Sequence, residues 1–241
     1  MPLLKQLGRA LIGALPTRTA LPVLSGPLRG ASWIVRSSNA SCWLGTYERE
    51  TQAALIVELR EGDCFVDAGA HVGFFTLLGA RLVGGAGRVL AVEPLRRNGE
   101  ILKRHLQLNR VNNTTVLGLA LSDAGGWSML GSPGPTSCAR LGVAGEQVET
   151  RRLDDVLAEH AVGPVRLVKI DVEGEEARLL AGAERLLAQN PPPALVVATH
   201  GWRAHEATLE QLAARELRPL AETMDRASGN GTVRFRAEGW K

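Results

Sequence analysis

The stretch of residues 64–76, with the sequence CFVDAGAHVGFFT, constrains the fold more than any other part of the chain. It predicts a buried strand that ends in the carboxylate Asp67, a tight turn at Gly69 and a helix that begins near Gly73. The side chains of the turn are small, so backbone N–H groups and the helix N-terminus can come close to a bound molecule. The segment therefore predicts a small-molecule site at a strand-to-helix turn.

The glycine spacing in this turn separates two classes of cofactor. Dinucleotide-binding folds carry G-x-G-x-x-G, which would require glycines at positions 69, 71 and 74. The chain has His71 and Phe74 at the second and third of these positions. This mismatch, together with the acid Asp67 before the turn, indicates a nucleoside cofactor that has no pyrophosphate.

The remainder of the chain predicts one α/β domain. With 241 residues, of which 45% are hydrophobic, the chain is long enough to bury a substantial core. From residue 63 onward, strand patterns alternate with helical patterns, as in a parallel sheet. Residues 124–146 are rich in Gly, Pro and Ser and predict a loop with at most one edge hairpin. The predicted strands cover residues 33–35, 64–67, 88–92, 115–119, 148–153, 165–170, 195–198, 218–220 and 233–236.

The first 46 residues form a basic extension, which we expect to precede the main domain at residues 47–241. They contain five basic residues and no acid, although the net charge of the whole chain is only +3. Five charges over this length favour a solvated or packed segment over a binding surface. Weak contact of residues 1–30 with an anionic membrane surface, or a targeting role for this part, stays open.

The cysteines and the hydropathy pattern bear on the cellular compartment. The three cysteines, Cys42, Cys64 and Cys138, have no C-x-x-C spacing, which disfavours a disulfide framework and a cysteine zinc site. Cys64 lies in an apolar strand, where we expect it only to pack. No apolar stretch reaches the roughly 18–20 residues that span a bilayer. These features favour a reducing, intracellular location, and we expect the cytoplasm.

Acidic and polar residues follow the predicted strands at one edge of the sheet. Asp67, Glu93, the pair Ser122 and Asp123, and Asp171 come after four different strands. Ligands of open parallel sheets bind beyond the carboxyl ends of the strands. Glu93 follows Asp67 at close to the spacing of about 20 residues at which an acid binds ribose hydroxyls. We therefore predict that Glu93 binds a ribose, with capping of the next turn as the alternative.

Five motifs in order give the chain a resemblance to a known family. They are VDAGAHVG at 66–73, VEP at 92–94, ALSD at 120–123, LDDVL at 153–157 and KIDVEGEE at 169–176. In content and order they resemble the FkbM family of S-adenosylmethionine-dependent methyltransferases. The resemblance covers about residues 44–220, and the block at 169–176 is its most specific part.

The resemblance implies a Rossmann-like, mostly parallel sheet of seven strands, as in class I methyltransferases, with an antiparallel last strand. It implies S-adenosyl-L-methionine as the cofactor, with the methionine part along the turn after Asp67 and the ribose at Glu93. Asp171 would lie beside the methyl group. The other cofactor-binding residues carried over by position are Gly69, Ala70, His71 and Gly73 in the turn, Ser122 and Asp123 at the adenine, and Tyr47 and Glu48 as a cover.

Two positions depart from the pattern of the family. Many relatives have Asn at the position of His71, and many have an acid at the position of Ala198. The second departure removes a candidate general base from the reaction end. His200, at the predicted end of the fifth strand, is then the first candidate because its pKa suits proton transfer near neutrality, and Asp171 is the second. The other histidines are expected at the surface: His105, His160 and His205.

The sequence favours an O-methyltransferase that acts on a hydroxyl of a small molecule or sugar. An NAD-dependent oxidoreductase is an alternative, disfavoured by the glycine spacing and the lack of a Tyr-x-x-x-Lys pair, and a catalytically silent binding protein is another. We expect no nucleic-acid partner, because the chain shows no dense basic face with interleaved aromatics. Glu173 and Glu175 follow Asp171 and leave a metal site open, although acids at a helix start explain them more simply.

Overall fold

Strands and helices alternate through most of the chain in the computed structural model, which describes residues 16–131, 139–161, 163–215, 217–225 and 227–236. Within these ranges, no helix is both long and apolar enough to cross a membrane. The strands are β1 (Ala20–Pro22), β2 (Ser32–Ile34), β3 (Cys64–Ala68), β4 (Arg88–Val92), β5 (Thr114–Leu117), β6 (Ala120–Leu121), β7 (Gly126–Gly131), β8 (Arg140–Leu141), β9 (Glu146–Arg151), β10 (Val165–Ile170), β11 (Ala194–Thr199), β12 (Pro219–Asp225) and β13 (Asn230–Phe235). The helices are α1 (Ala40–Leu44), α2 (Arg49–Glu58), α3 (Phe74–Val83), α4 (Arg96–Leu108), α5 (Leu153–Glu159), α6 (Glu176–Ala181), α7 (Glu184–Leu187) and α8 (Trp202–Ala213).

Seven strands form the main sheet, in the order β12-β13-β11-β10-β3-β4-β5. Strand β13 is antiparallel to both of its neighbours, and the other pairings are parallel. This is the Rossmann-like sheet that the sequence predicted, and the fold class is confirmed. The chain runs outward from β3 to β5 and then starts again at β10, so the strand order reverses between β3 and β10. A crevice for ligands is expected at this switch point.

Both faces of the sheet are covered, and most residues of its central strands are apolar. All five residues of β3 are buried, and they alternate between two cores. Phe65 packs in the core that contains α3, whereas Val66 packs in the core that contains α6 and α7. A Cβ on Gly79 of α3 would overlap the ring of Phe65, so the glycine lets this helix lie close to the sheet. The turn after β3 is thereby held in place by its own helix.

A second sheet of four strands, in the order β6-β9-β7-β8, corrects the prediction for residues 124–146. This region contains β7, β8 and the first residue of β9, and part of the predicted loop, residues 132–138, lies outside the described residues. A Cβ on Gly131 or Gly145 would overlap backbone oxygens of the neighbouring chain segments. These glycines, which predicted a loop, serve close backbone approach within a sheet.

The described part of the basic extension packs against the domain. Strands β1 and β2 pair antiparallel, and Trp33 of β2 is completely buried. The indole of Trp33 stacks on the ring of His105 in α4, with 4.0 Å between the ring centroids. Val23 and Leu28 belong to the same core as α3. Residues 20–34 therefore contribute to the core.

Two histidines that were expected at the surface are buried, namely His105 and His205. The Nδ1 of His105 lies 2.7 Å from the carbonyl oxygen of Val72, and its Nε2 accepts a hydrogen bond from the Ile34 N–H at 3.0 Å. Both nitrogens of each ring have hydrogen-bond partners, so neither ring leaves a polar atom unsatisfied in the core. The partners of His105 lie far away in the sequence, so the helix pattern alone could not show them.

Candidate functional site

A cleft of about 660 Å³ opens at the carboxyl ends of β3, β4, β10 and β11, at the switch point of the sheet. Its apolar wall includes Leu121 of β6, Leu130 of β7 and Leu141 of β8, which all belong to the second sheet. Five predicted site residues do not line the cleft: Asp67, Ala70, Gly73, Ser122 and Asp123. The predicted site residues that line it are Tyr47, Glu48, Gly69, His71, Glu93, Asp171 and His200.

The turn after β3 requires glycine at its first position. Gly69 has a φ of 75°, and a Cβ there would overlap the carbonyl oxygen of Asp171 in the neighbouring strand end. The N–H groups of Gly69 and Ala70 both donate to the carbonyl of Val92, at 3.0 Å, which ties the turn to β4. Ala70 points into the core, and Gly73 begins α3. These residues shape the turn, and Gly69 alone among them reaches the cleft.

Asp67 is completely buried behind the turn. Its Oδ2 accepts a hydrogen bond of 2.6 Å from the Thr76 hydroxyl, and its Oδ1 lies 3.5 Å from the ammonium of Lys169. The same ammonium lies 3.2 Å from Asp171 Oδ2 and donates to the Gly69 carbonyl at 3.0 Å. Burial opposes ionisation of Asp171, but Lys169 and His200 more than offset it and lower the pKa of Asp171. Lys169 thus holds the turn and the end of β10 together.

Glu93 presents a buried carboxylate to the cleft at the end of β4. Its Oε2 accepts from the His71 N–H at 2.8 Å, and its Oε1 accepts from the Leu95 N–H at 3.1 Å and from Asn98 Nδ2 at 3.0 Å. Burial raises the pKa of Glu93 to about 7 in spite of these donors. Asn98, which sequence reasoning missed, carries no signal beyond its place five residues after Glu93 on a helix.

His200 lies after β11, on the far side of the switch point from Glu93. Its Nδ1 is 2.8 Å from Glu176 Oε1, and its Nε2 is 3.4 Å from Asp171 Oδ1 and 3.5 Å from Glu173 Oε1. Burial opposes protonation of His200, but the bond to Glu176 and the nearby carboxylates raise its pKa. Glu176 is completely buried and orients the ring, a role that the sequence did not reveal because Glu176 was one acid among several.

Ser122 and Asp123, the predicted adenine contacts, are turned away from the cleft. Ser122 is buried, and the Asp123 carboxylate accepts hydrogen bonds of 3.1 and 2.9 Å from the guanidinium of Arg178. That pairing lowers the pKa of Asp123 and keeps its side chain at the surface. Ala120 and Leu121 of the same motif line the cleft instead. Asp123 therefore forms an ion pair with Arg178 at the surface.

Tyr47 and Glu48 enter the cleft just before α2. The Tyr47 ring packs on Phe74 and Phe75 of α3, with centroids 5.5 and 5.7 Å apart. Glu48 has a φ of 39°, and burial together with the Asp171 carboxylate raises its pKa. Aromatic packing therefore holds Tyr47 against α3, and Glu48 follows it directly at the start of α2.

Three donor atoms in the cleft are close enough to share a metal ion. They belong to Asp171, Glu173 and His200, and they all lie within 4.8 Å of one another. Glu175, the other acid considered from the sequence, instead pairs with Arg178 at 3.1 Å.

Comparison with known proteins places this site in a family. The sequence profile described as the Methyltransferase FkbM domain matches residues 67–218, which include the end of β3 and all of β4, β10 and β11. The chain belongs to the FkbM methyltransferase family. The resemblance predicted from the five motifs is therefore confirmed.

A curated relative of this FkbM family member is the 31-O-demethyl-FK506 methyltransferase FkbM of Streptomyces tacrolimicus. The two sequences are 33% identical over 170 residues, which cover 53% of this chain and 62% of the relative. The chain thus spans less than two thirds of the length of the curated relative that it matches.

Solved structures share the fold of this family member at low sequence identity. An rRNA methylase of Streptococcus thermophilus matches with a TM-score of 0.52 and 13% identity, over 78% of this chain and 93% of that protein. Fibrillarin of Aeropyrum pernix, solved with natively bound S-adenosyl-L-methionine, matches with a TM-score of 0.51 and 15% identity, over 78% and 74%. These likenesses support the class I methyltransferase fold.

Proposed function

We propose that the protein is an S-adenosylmethionine-dependent methyltransferase that methylates a hydroxyl of a small molecule or sugar. The observation that carries the proposal is the cleft at the switch point, with the buried acid Glu93 after β4 and the polar group of Asp171 and His200 after β10 and β11. Strands β4 and β11 are three strand spacings apart, about 14 Å, which suits a nucleoside-sized cofactor at one side and an acceptor at the other.

S-adenosylmethionine is the cofactor, and the residues of the cleft fit its groups. The Glu93 carboxylate is placed to accept hydrogen bonds from ribose hydroxyls, and the turn at Gly69 presents backbone to the methionine part. Tyr47, Glu48 and His71 line the cleft together with Gly69 and Glu93. The remaining proposed cofactor residues, Asp67, Ala70, Gly73, Ser122 and Asp123, act through the shape of the turn and of the loop after β6.

The reaction is a displacement at the cofactor's methyl group. An oxygen–carbon bond forms, the carbon–sulfur bond breaks, and its electron pair stays on the sulfur. A hydroxyl acceptor also loses its proton, and we place this step at Asp171 and His200. Positioning of donor and acceptor can supply about 7–11 kcal/mol of the barrier reduction.

The charges in the cleft support a small-molecule acceptor over a nucleic acid. Among the described residues, six carboxylates line the cleft and no lysine or arginine does: Glu48, Glu93, Asp171, Glu173, Glu175 and Asp225. Nucleic-acid binding relies on basic side chains that neutralise phosphates. The similarity to an rRNA methylase shows a shared fold and does not carry its substrate to this chain.

Two alternative functions are disfavoured, and a cellular location is proposed. The family membership and the missing dinucleotide glycines both speak against an NAD-dependent oxidoreductase. A catalytically silent binding protein is disfavoured because the acids after β4 and β10 are retained. A cytoplasmic location is supported by Cys42 and Cys64, which are buried free thiols.

The proposal is tested by calorimetric titration of the purified chain with S-adenosylmethionine, S-adenosylhomocysteine and NAD. We expect both methionine derivatives to bind with one site and NAD to give no heat. A matched variant, Glu93→Gln, should weaken both bindings, whereas Glu100→Gln on the exposed face of α4 should not. Binding of NAD without binding of S-adenosylmethionine would overturn the proposal.

A further inference from the structure

We propose that Asp171, Glu173 and His200 bind a divalent transition-metal cation that receives the hydroxyl of the acceptor. This inference rests on the proposed function and names how the acceptor oxygen is activated. It makes Asp171 and His200 metal ligands in the proton-loss step that the proposed function places at them, so that neither accepts the proton directly. The three residues lie after β10 and β11, and each is partly accessible from the cleft.

The two distances from His200 to the carboxylates fit one small cation, and all three donor atoms lie within 4.8 Å of one another. His200 Nε2 lies 3.4 Å from Asp171 Oδ1 and 3.5 Å from Glu173 Oε1. Two ligands on bonds of about 2.1 Å are about 3.0–3.4 Å apart when the angle between them is about 90–109°. Charged hydrogen bonds between an imidazolium and a carboxylate would be shorter, at about 2.7–2.9 Å. The spacing is therefore closer to that of ligands around a cation than to that of a protonated histidine.

Glu176 gives the cluster the outer support that metal-binding histidines have. Its Oε1 lies 2.8 Å from Nδ1 of His200 and accepts a hydrogen bond from the Gly174 N–H at 3.0 Å. With Nδ1–H directed at Glu176, the lone pair of Nε2 faces the two other carboxylates. A carboxylate behind a histidine fixes the ring and its tautomer in many metal sites.

The local charge also calls for a cation. The ammonium of Lys169 is shared between Asp67 and Asp171, and Glu176 Oε2 is buried without a hydrogen-bond partner among the described residues. The lining of the cleft adds carboxylates and, within the described part, no lysine or arginine. A divalent cation would neutralise this surplus where the acceptor binds.

A cation held here would act as a Lewis acid on the acceptor. One nitrogen and two oxygen ligands suit Mn²⁺ or Zn²⁺, and three protein ligands leave an open position for a substrate oxygen. Coordination lowers the pKa of a hydroxyl, so its proton can leave to water in the cleft before the oxygen takes the methyl group.

The test measures metal binding directly, without relying on turnover. The full chain is stripped with EDTA and titrated with Mn²⁺, and bound metal is followed by loss of the electron paramagnetic resonance signal of free Mn²⁺. Zn²⁺ is then titrated as a competitor. The variant Glu173→Gln removes one ligand, and Glu175→Gln is the matched control because Glu175 lies two residues away and pairs with Arg178. Thermal melting of each variant confirms folding.

We expect one Mn²⁺ per chain, weakened about 10- to 100-fold by Glu173→Gln and by less than 2-fold by Glu175→Gln. S-adenosylmethionine is titrated in parallel in the presence of EDTA. A chain that binds S-adenosylmethionine but neither metal overturns the cation site and leaves the proposed function standing. Metal binding that Glu173→Gln does not change also overturns it. Failure of the chain to bind S-adenosylmethionine is the separate result that contradicts the proposed function.

Discussion

The ammonium of Lys169 lies 3.2 Å from Oδ2 of Asp171, and both groups are held at the end of β10 beside the turn at Gly69. Lys169 is 3% exposed and Asp67 is completely buried, so solvent cannot replace the ammonium as the partner of Asp67. This ion pair therefore joins strand β10 of the main sheet to a carboxylate that lines the cleft.

Replacement of this lysine should destabilise the fold. Lys169→Met keeps most of the side-chain volume and leaves Asp67 and Asp171 without their cation. We expect a loss of about 3–5 kcal/mol in the free energy of unfolding, the range for breaking a buried ion pair. Urea unfolding measures it, with Lys103→Met on the exposed side of α4 as the control. A loss below about 1 kcal/mol would show that the pair is not required.

Glu93 should make cofactor binding depend on pH near neutrality. Burial raises its pKa to about 7, and the ionised carboxylate is the better acceptor for ribose hydroxyls. We therefore expect the affinity for S-adenosylmethionine to increase as the pH rises from about 6 to about 8. In Glu93→Gln the affinity should be weaker by about tenfold or more and flat over this range, since a neutral amide replaces a charged acceptor. Calorimetric titrations at several pH values in this range measure both affinities. The same pH dependence of the affinity in both proteins would exclude Glu93 as the titrating group.

The buried His105 predicts a stability change on the acidic side. Burial lowers its pKa to about 4, whereas the unfolded chain has a pKa near 6.5. As the pH falls from about 6.5 to about 4, the unfolded chain takes up the proton first, so the folded state loses stability by about 3 kcal/mol at most. Above about 6.5 this contribution is constant.

The matched variants for this prediction are His105→Gln and His160→Gln. We expect the decrease in unfolding free energy between pH about 6.5 and about 4 to be smaller in the first variant. In the second variant this decrease should be the same as in the unchanged protein. A pH dependence that survives His105→Gln unchanged would contradict the assignment.

Gly69 should not tolerate a side chain. Its φ of 75° disfavours other residues, and a Cβ would overlap the Asp171 carbonyl oxygen. We expect Gly69→Ala to lower the unfolding free energy by about 2 kcal/mol or more and to abolish cofactor binding. Gly85→Ala is the control, because a Cβ there has no neighbour within 4 Å. Wild-type melting of Gly69→Ala would mean that the turn can shift.

The sequence predicted the main sheet well and the contacts across it poorly. Strands β4 and β10 have the predicted bounds, because short apolar runs between turn signals define a buried strand locally. The predicted strand at 148–153 overlaps β9, but the sheet around it was not predicted, because the glycines at 131 and 145 resemble loop signals until the opposing backbone is known. The site residues also divide into those with a local sequence signal and those whose role depends on distant contacts. Glu93 could be placed from its strand end, whereas the roles of Lys169 and Glu176 depend on partners brought together by folding.

A crystal structure of the chain with S-adenosylhomocysteine tests the central claim most directly. The account predicts ribose hydroxyls within hydrogen-bond distance of the Glu93 carboxylate and a sulfur atom that faces Asp171 and His200. A ligand bound away from the turn at Gly69, with its ribose out of reach of Glu93, would contradict it.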